Sequence, residues 1–158
     1  MKSILLVDDE TIICAEFKRT LRRFGFHVEA AHTLEAALRS IRKAQFDAIL
    51  VEFNLRSERA AHPRTGNGLR LIHQLRAAQT KAPVLMFTAM EGEPYKTVSL
   101  EAGADDFILK TDGIRRLLTR LQTRIDQNAP ESGRELAHRF GRNASKPRKA
   151  VRAAVLAR

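Results

Sequence analysis

Four short apolar runs, each stopping on a polar side chain, constrain the fold of this chain more than any other feature. Ile4-Leu5-Leu6-Val7 runs into Asp8, Asp9 and Glu10, and Ala48-Ile49-Leu50-Val51 runs into Glu52. Val84-Leu85-Met86-Phe87 ends on Thr88, and Phe107-Ile108-Leu109 ends on Lys110. Runs this short, with helical patterns between them, read as central strands of a parallel sheet covered on both faces. Open α/β sheets bind ligands in the crevice beyond the carboxyl ends of their strands. Two adjacent aspartates, a glutamate, a threonine and a lysine are therefore delivered to one rim.

The stretches between the runs alternate strand and helix five times, as doubly wound α/β folds do. Ile13, Phe17, Leu21 and Phe24 recur at helical spacing, with Gly25 as the stop. A weaker strand is expected over 27–31. Thr33 is placed to cap a second helix carrying Leu34, Ala37, Leu38 and Ile41. Leu69, Leu71, Ile72 and Leu75 mark a third, and Pro94 suits the first turn of a fourth. Ile114, Leu117, Leu118, Leu121 and Ile125 form the apolar stripe of a fifth. The lone Cys14 lies in the first helical pattern, where it reads as a small buried thiol.

Taken in order and spacing, the segments ILLVDDE (4–10), FDAILVEFNL (46–55), VLMFTA (84–89) and GADDFILK (103–110) resemble the receiver domain of two-component response regulators. The resemblance runs from Met1 to about Gln127. It implies a flavodoxin-like (βα)5 fold, with a parallel five-stranded sheet in the order 2-1-3-4-5, over residues 1–127. Residues 128–158 would then be a basic, flexible tail. The family accepts a phosphoryl group from a histidine kinase on an aspartate at the end of the third strand. Here that position is Glu52.

Clustered carboxylates suit Mg²⁺, which keeps several waters and takes one or two carboxylates. By resemblance its shell would be Asp8, Asp9, Glu52 and the backbone carbonyl of Asn54. Lys110 would pair with the acids, Thr88 would offer the hydroxyl that pulls the switch, and Phe107 would be the aromatic that follows it. An aromatic in a central strand also reads as plain core. Thr111 stands where the family usually has a proline, which implies a trans turn and a slightly displaced Lys110.

One extra methylene pushes the Glu52 carboxylate out by ~1.5 Å. A misplacement of about 1 Å can cost an in-line reaction ~100-fold. No useful phosphorylation is expected, and the chain reads as a stand-alone pseudo-receiver rather than an enzyme. Two roles for Glu52 stay open. Its carboxylate either stands in for part of an acyl phosphate, or it is a relic in a domain that binds its partner through another surface.

Charge bears on the partner. The net charge is +10; residues 1–126 carry 20 basic against 16 acidic side chains, and residues 127–158 carry 8 against 2. A basic tail attracts polyanions or acidic protein faces, or is simply solvated. Arg115, Arg116, Arg120 and Arg124 on the fifth helix suit an acidic partner such as a sensor histidine kinase, a phosphotransferase or an output protein. A homodimer is also open. Nonspecific nucleic-acid binding through the tail is an alternative, although no helix-turn-helix, zinc spacing or aromatic platform accompanies it. A metal-dependent phosphatase is the enzymatic alternative, but such enzymes usually space their two aspartates by one residue.

No glycine-rich loop follows the first strand, which disfavours a nucleotide site. No stretch approaches ~20 apolar residues, and the first run is too short for a signal peptide, so a cytoplasmic protein is expected. The twelve residues between Leu55 and Gly68 are about twice the family's usual number. They either border and gate the acidic rim or form a solvated insertion, which costs little closure entropy.

Overall fold

The computed structural model describes residues 1–59 and 66–129. Residues 60–65 of the long loop, expected to gate the rim or to be a solvated insertion, and the tail from residue 130 lie outside the described residues. The strands are β1 (Ser3–Val7), β2 (His27–Ala31), β3 (Ala48–Val51), β4 (Val84–Thr88) and β5 (Asp106–Leu109). Between and after them run α1 (Thr11–Arg23), α2 (Leu34–Lys43), α3 (Asn67–Ala77), α4 (Glu93–Glu101) and α5 (Ile114–Asn128). All strand pairs are parallel, in the order β2-β1-β3-β4-β5.

The four-residue runs are continuous in hydrophobicity because each strand has helices on both sides, while alternate side chains go to opposite faces. Leu5, Val7, Ile49, Val51 and Met86 face one core with Leu71, Ile72 and Leu75 of α3 and Leu34 of α2. Ile4, Leu6, Leu50, Leu85, Phe87 and Ile108 face the other, against α1 and α5. There Leu117, Leu121 and Ile125 are buried, and Phe17 meets Phe87 edge-on with ring centroids 4.7 Å apart.

Local signals act as their chemistry dictates. Thr33 has extended backbone angles and its hydroxyl accepts from Ala36 N at 3.0 Å, closing the N-terminus of α2. Gly25, at φ +87°, turns the chain out of α1. Pro94 occupies the first turn of α4. The α1 stripe differs from expectation at its end: Phe24 is the C-cap and is 57% exposed, because the helix has already turned away from the sheet. Cys14 and Leu21 carry that face instead, both fully buried. Burial, and then the nearby Asp8 charge, push the Cys14 thiol up to about 11. Among the described residues no helix is long and apolar enough to cross a membrane.

Candidate functional site: a closed acid–lysine cluster

The sheet register assembles the rim. Val7 pairs with Val51, Val51 with Met86, and Thr88 with Leu109, so the residues just beyond these tips are neighbours. The ladder continues one step further on two strands. Asp8 N donates to Ala31 O and Glu52 N donates to Val7 O, each at 2.9 Å. Asp8, Glu52 and Thr88 are 1%, 5% and 0% exposed, so the site is sealed as well as acidic.

Glu52 is fully engaged. Its Oε1 accepts from the Phe53 amide at 2.7 Å, from the Asn54 amide at 3.3 Å and from the Thr88 hydroxyl at 2.5 Å. Lys110 Nζ lies 2.7 Å from Glu52 Oε2 and 2.7 Å from Asp8 Oδ2. These are close ion pairs rather than well-aligned hydrogen bonds, since Nζ has no partner at good angle. Thr88 Oγ1 also accepts from Met90 N at 3.1 Å, linking the carboxylate to the chain that leads into α4.

Asp8 Oδ1 accepts from Glu10 N at 2.9 Å, and His32 Nδ1 lies 2.8 Å from the Asp8 carbonyl, to which it donates. Burial pushes the Asp8 carboxyl above its ordinary value, outweighing the opposing pull of Lys110. Burial alone would lower the pKa of Lys110, but its contacts to Asp8 and Glu52 win and raise it. The ammonium therefore stays charged between two carboxylates.

The residues expected to hold Mg²⁺ gather at one rim, but not as a cation shell. Both Glu52 oxygens are taken, and the Lys110 ammonium lies against both Asp8 and Glu52. Among the described residues no group of three His, Cys, Asp or Glu side chains is placed to hold a metal. The arrangement does not fit a divalent cation shared by Asp8 and Glu52. The peptide after Lys110 is trans, as expected for Thr111, and the Lys110 side chain reaches both acids.

Phe107 is half-buried and packs on the β1/β3/β4 core beneath α2–α4, opposite Met86 in the register. The arginines of α5 differ from the free row read in the sequence. Arg120 and Arg124 both bind the buried carboxylate of Asp106, Arg124 Nε at 3.0 Å, and Arg116 reaches Asp112 at 3.3 Å. Burial would raise the Asp106 carboxyl, but the two guanidiniums hold it below its ordinary value. Asp106 was missed, although period two in β5 places it on the same face as Ile108, toward α5.

Gly68 was also missed as a site residue. A Cβ there would come within 2.2 Å of Glu52 O and 2.8 Å of Phe53 O, so only glycine lets α3 close against the end of β3. Gly68 N donates to Phe53 O at 3.0 Å and Asn67 Nδ2 to Leu55 O at 2.8 Å, fixing that approach. The signal available was a glycine at the start of a helix that follows the third run.

Known proteins are similar to this chain in sequence and fold. The sequence pattern described as the response regulator receiver domain matches residues 4–122. Response regulator MprA of Mycobacterium tuberculosis (strain H37Rv) is 32% identical over 138 residues, 87% of this chain and 56% of that protein. The chain thus spans about half the length of the curated relatives it matches. A CheY-like receiver domain protein from Methanospirillum hungatei JF-1 is 28% identical, with a TM-score of 0.69 over 81% of this chain and 96% of that one. A response regulator from Burkholderia pseudomallei, solved with a phosphorylated aspartic acid, calcium ion and citrate, is 27% identical, with a TM-score of 0.66 over 80% of this chain and 70% of that one. With the strand order, the rim and these matches in agreement, the chain belongs to the response regulator receiver domain family of two-component signalling.

Proposed function

We propose that this chain is a pseudo-receiver: a protein-interaction switch whose Glu52 carboxylate holds the signalling arrangement without phosphoryl transfer. The observation that carries the reading is the buried Thr88 hydroxyl bound to Glu52 Oε1 at 2.5 Å, with Lys110 on the other oxygen. Threonine and lysine are the groups that would grip a phosphoryl group on an aspartate, and here one carboxylate occupies both. An acyl phosphate carries about two negative charges and more acceptor oxygens than a carboxylate. The bias toward the signalling state is therefore partial, since it is limited to the differential contacts that Glu52 makes.

The proposed organisation is a receiver unit over 1–127 and a basic tail over 128–158, in the cytoplasm and without enzymatic activity of its own. Its partner is a sensor histidine kinase, a phosphotransferase or an output protein. The surface for that partner centres on α5, where Arg115 and Arg116 keep most of their exposure while Arg120 and Arg124 hold the helix to β5.

The test is intact-mass analysis after exposure to a small-molecule phosphodonor with Mg²⁺. Wild type is expected to gain no phosphoryl group; wild type labelled as readily as Glu52→Asp would overturn the reading. The mimic itself is tested with Glu52→Gln, which keeps the shape and removes the charge. Amide resonances of Thr88 and Met90 are expected to move, and partner affinity to fall; unchanged affinity would leave Glu52 a relic.

A further inference from the structure

The acidic rim carries a second cation besides Lys110, and it comes from the unusually long connection between β3 and α3. Arg56 Nε lies 3.6 Å from Asp9 Oδ2, a close ion pair rather than a hydrogen bond. The carboxylate side of this pair is 2% exposed and the guanidinium side 62% exposed, so Arg56 lies over a buried acid from the solvent side.

Its backbone is held in place by the first turns of α2. Leu34 N donates to Arg56 O at 2.9 Å. Ser57 Oγ donates to Glu35 Oε1 at 2.6 Å, and Glu58 N donates to Glu35 Oε2 at 2.7 Å. The Glu58 carboxylate in turn accepts from Thr33 Oγ1 at 2.9 Å and from both terminal nitrogens of Arg39 at 2.9 and 2.7 Å. Hydrogen bonds from Arg39 and then Thr33 hold the Glu58 carboxyl down to about 2, so it stays ionised and the clamp stays closed across the neutral range. Three consecutive residues, 56–58, are thus docked on α2. The start of this connection is a positioned arm, and ordering Arg56 over Asp9 costs less entropy than it would from a free loop.

We propose that Arg56 is a built-in counter-cation that replaces a divalent metal at Asp9, so that the rim excludes Mg²⁺ and withdrawing Arg56 raises its affinity. Among the described residues, the carboxylates of Asp8, Asp9 and Glu52 face two cations, Lys110 and Arg56. A divalent ion on Asp9 Oδ2 would sit about 2.1 Å from that oxygen, within a few ångströms of the Arg56 guanidinium. Like charges that close, beside buried side chains where screening is weak, oppose binding strongly. Glu52 offers no compensation, because both of its oxygens are already bound.

Whether Glu52 accepts a phosphoryl group is a separate question, so this inference stands or falls independently of the proposed function. The experiment is a titration of the full chain with Mg²⁺ alone, followed through the amide resonances of Asp9, Glu10 and Phe53. Wild type, Arg56→Ala and Arg56→Lys are compared. The main-chain contacts at 56 survive all three, and thermal unfolding checks that each is folded. Wild type and Arg56→Lys are expected to show no saturable shift at physiological Mg²⁺. Arg56→Ala is expected to bind at least ten times more tightly than wild type. Equal binding by wild type and Arg56→Ala, or equal failure of both to bind, would overturn the proposal. So would tight binding by Arg56→Lys, which retains the charge.

Discussion

The α-carbon of Gly68 rests against the carbonyl oxygen of Glu52, so closely that a β-carbon at residue 68 would stand 2.2 Å from that oxygen. The contact sets how closely the start of α3 approaches the backbone at the end of β3. Gly68→Ala must push backbone against backbone, with no flexible side chain to yield. A loss of about 1–3 kcal/mol is expected, the usual cost of overpacking. Urea unfolding should show a lower midpoint with an unchanged slope. The Phe53 and Thr88 amide resonances should move as well.

Thr88→Val tests the hydroxyl with little change of shape. Glu52 Oε1 loses one donor but keeps the two amides, while Met90 N loses its acceptor. A destabilisation of about 1–3 kcal/mol is expected for a buried group left without its partner. Thr88→Ser should recover most of it in thermal unfolding. A valine variant as stable as wild type would show that the hydroxyl contributes nothing to the fold.

Two buried aspartates should respond to pH with opposite sign. Asp106 is held below its ordinary value of 3.8 by Arg120 and Arg124 against the effect of burial. Its stabilisation is therefore present above 3.8 and lost as the pH falls through its lower folded pKa. Asp106→Asn should cost about 1–3 kcal/mol at neutral pH, with the difference from wild type shrinking in acid. Asp8 is raised above 3.8 by burial, despite Lys110, so its ionised form is less favourable in the folded chain than in the unfolded one. Stability from this group falls as the pH rises through the folded pKa. Asp8→Asn should accordingly raise the unfolding midpoint at pH 7. Parallel thermal melts from pH 3 to pH 8 read both signs.

Cys14 should be inert in the folded protein. It is fully buried, and its thiol is pushed up to about 11. At pH 8 only a thiolate fraction on the order of 0.001 is present, and the thiolate is the nucleophile. A thiol-reactive dye should label the native chain far more slowly than the denatured one.

The strands and the rim were legible because each apolar run is bounded by a polar residue of distinct chemistry. Val7-Asp8, Val51-Glu52 and Leu109-Lys110 each mark a strand end to the residue, while β4 takes in Thr88 itself. Other relationships were hidden because they join residues far apart in the chain. Arg120 and Arg124 look like a repelling pair on a helix until Asp106, 14 and 18 residues earlier, is placed between them. The grip of Glu52 on its own following amides depends on side-chain length and local backbone direction, which a pattern of residue types does not encode. Arg56 over Asp9 was equally invisible, because the clamp that aims it is built from Thr33, Glu35 and Arg39 of a different element.

Of the five strands β1 comes first in the chain, yet it lies between β2 and β3, and the partner of Ile4 on β3, Ala48, is 44 residues downstream. Contacts of such long sequence separation form slowly, because loop closure precedes the energetic return. A nascent chain holding only its first two βα units has Asp8 and Asp9 but neither the Glu52 carboxylate nor the Lys110 ammonium beside them. The electrostatic lock is thus a late event of synthesis, closed only once the fifth strand has docked.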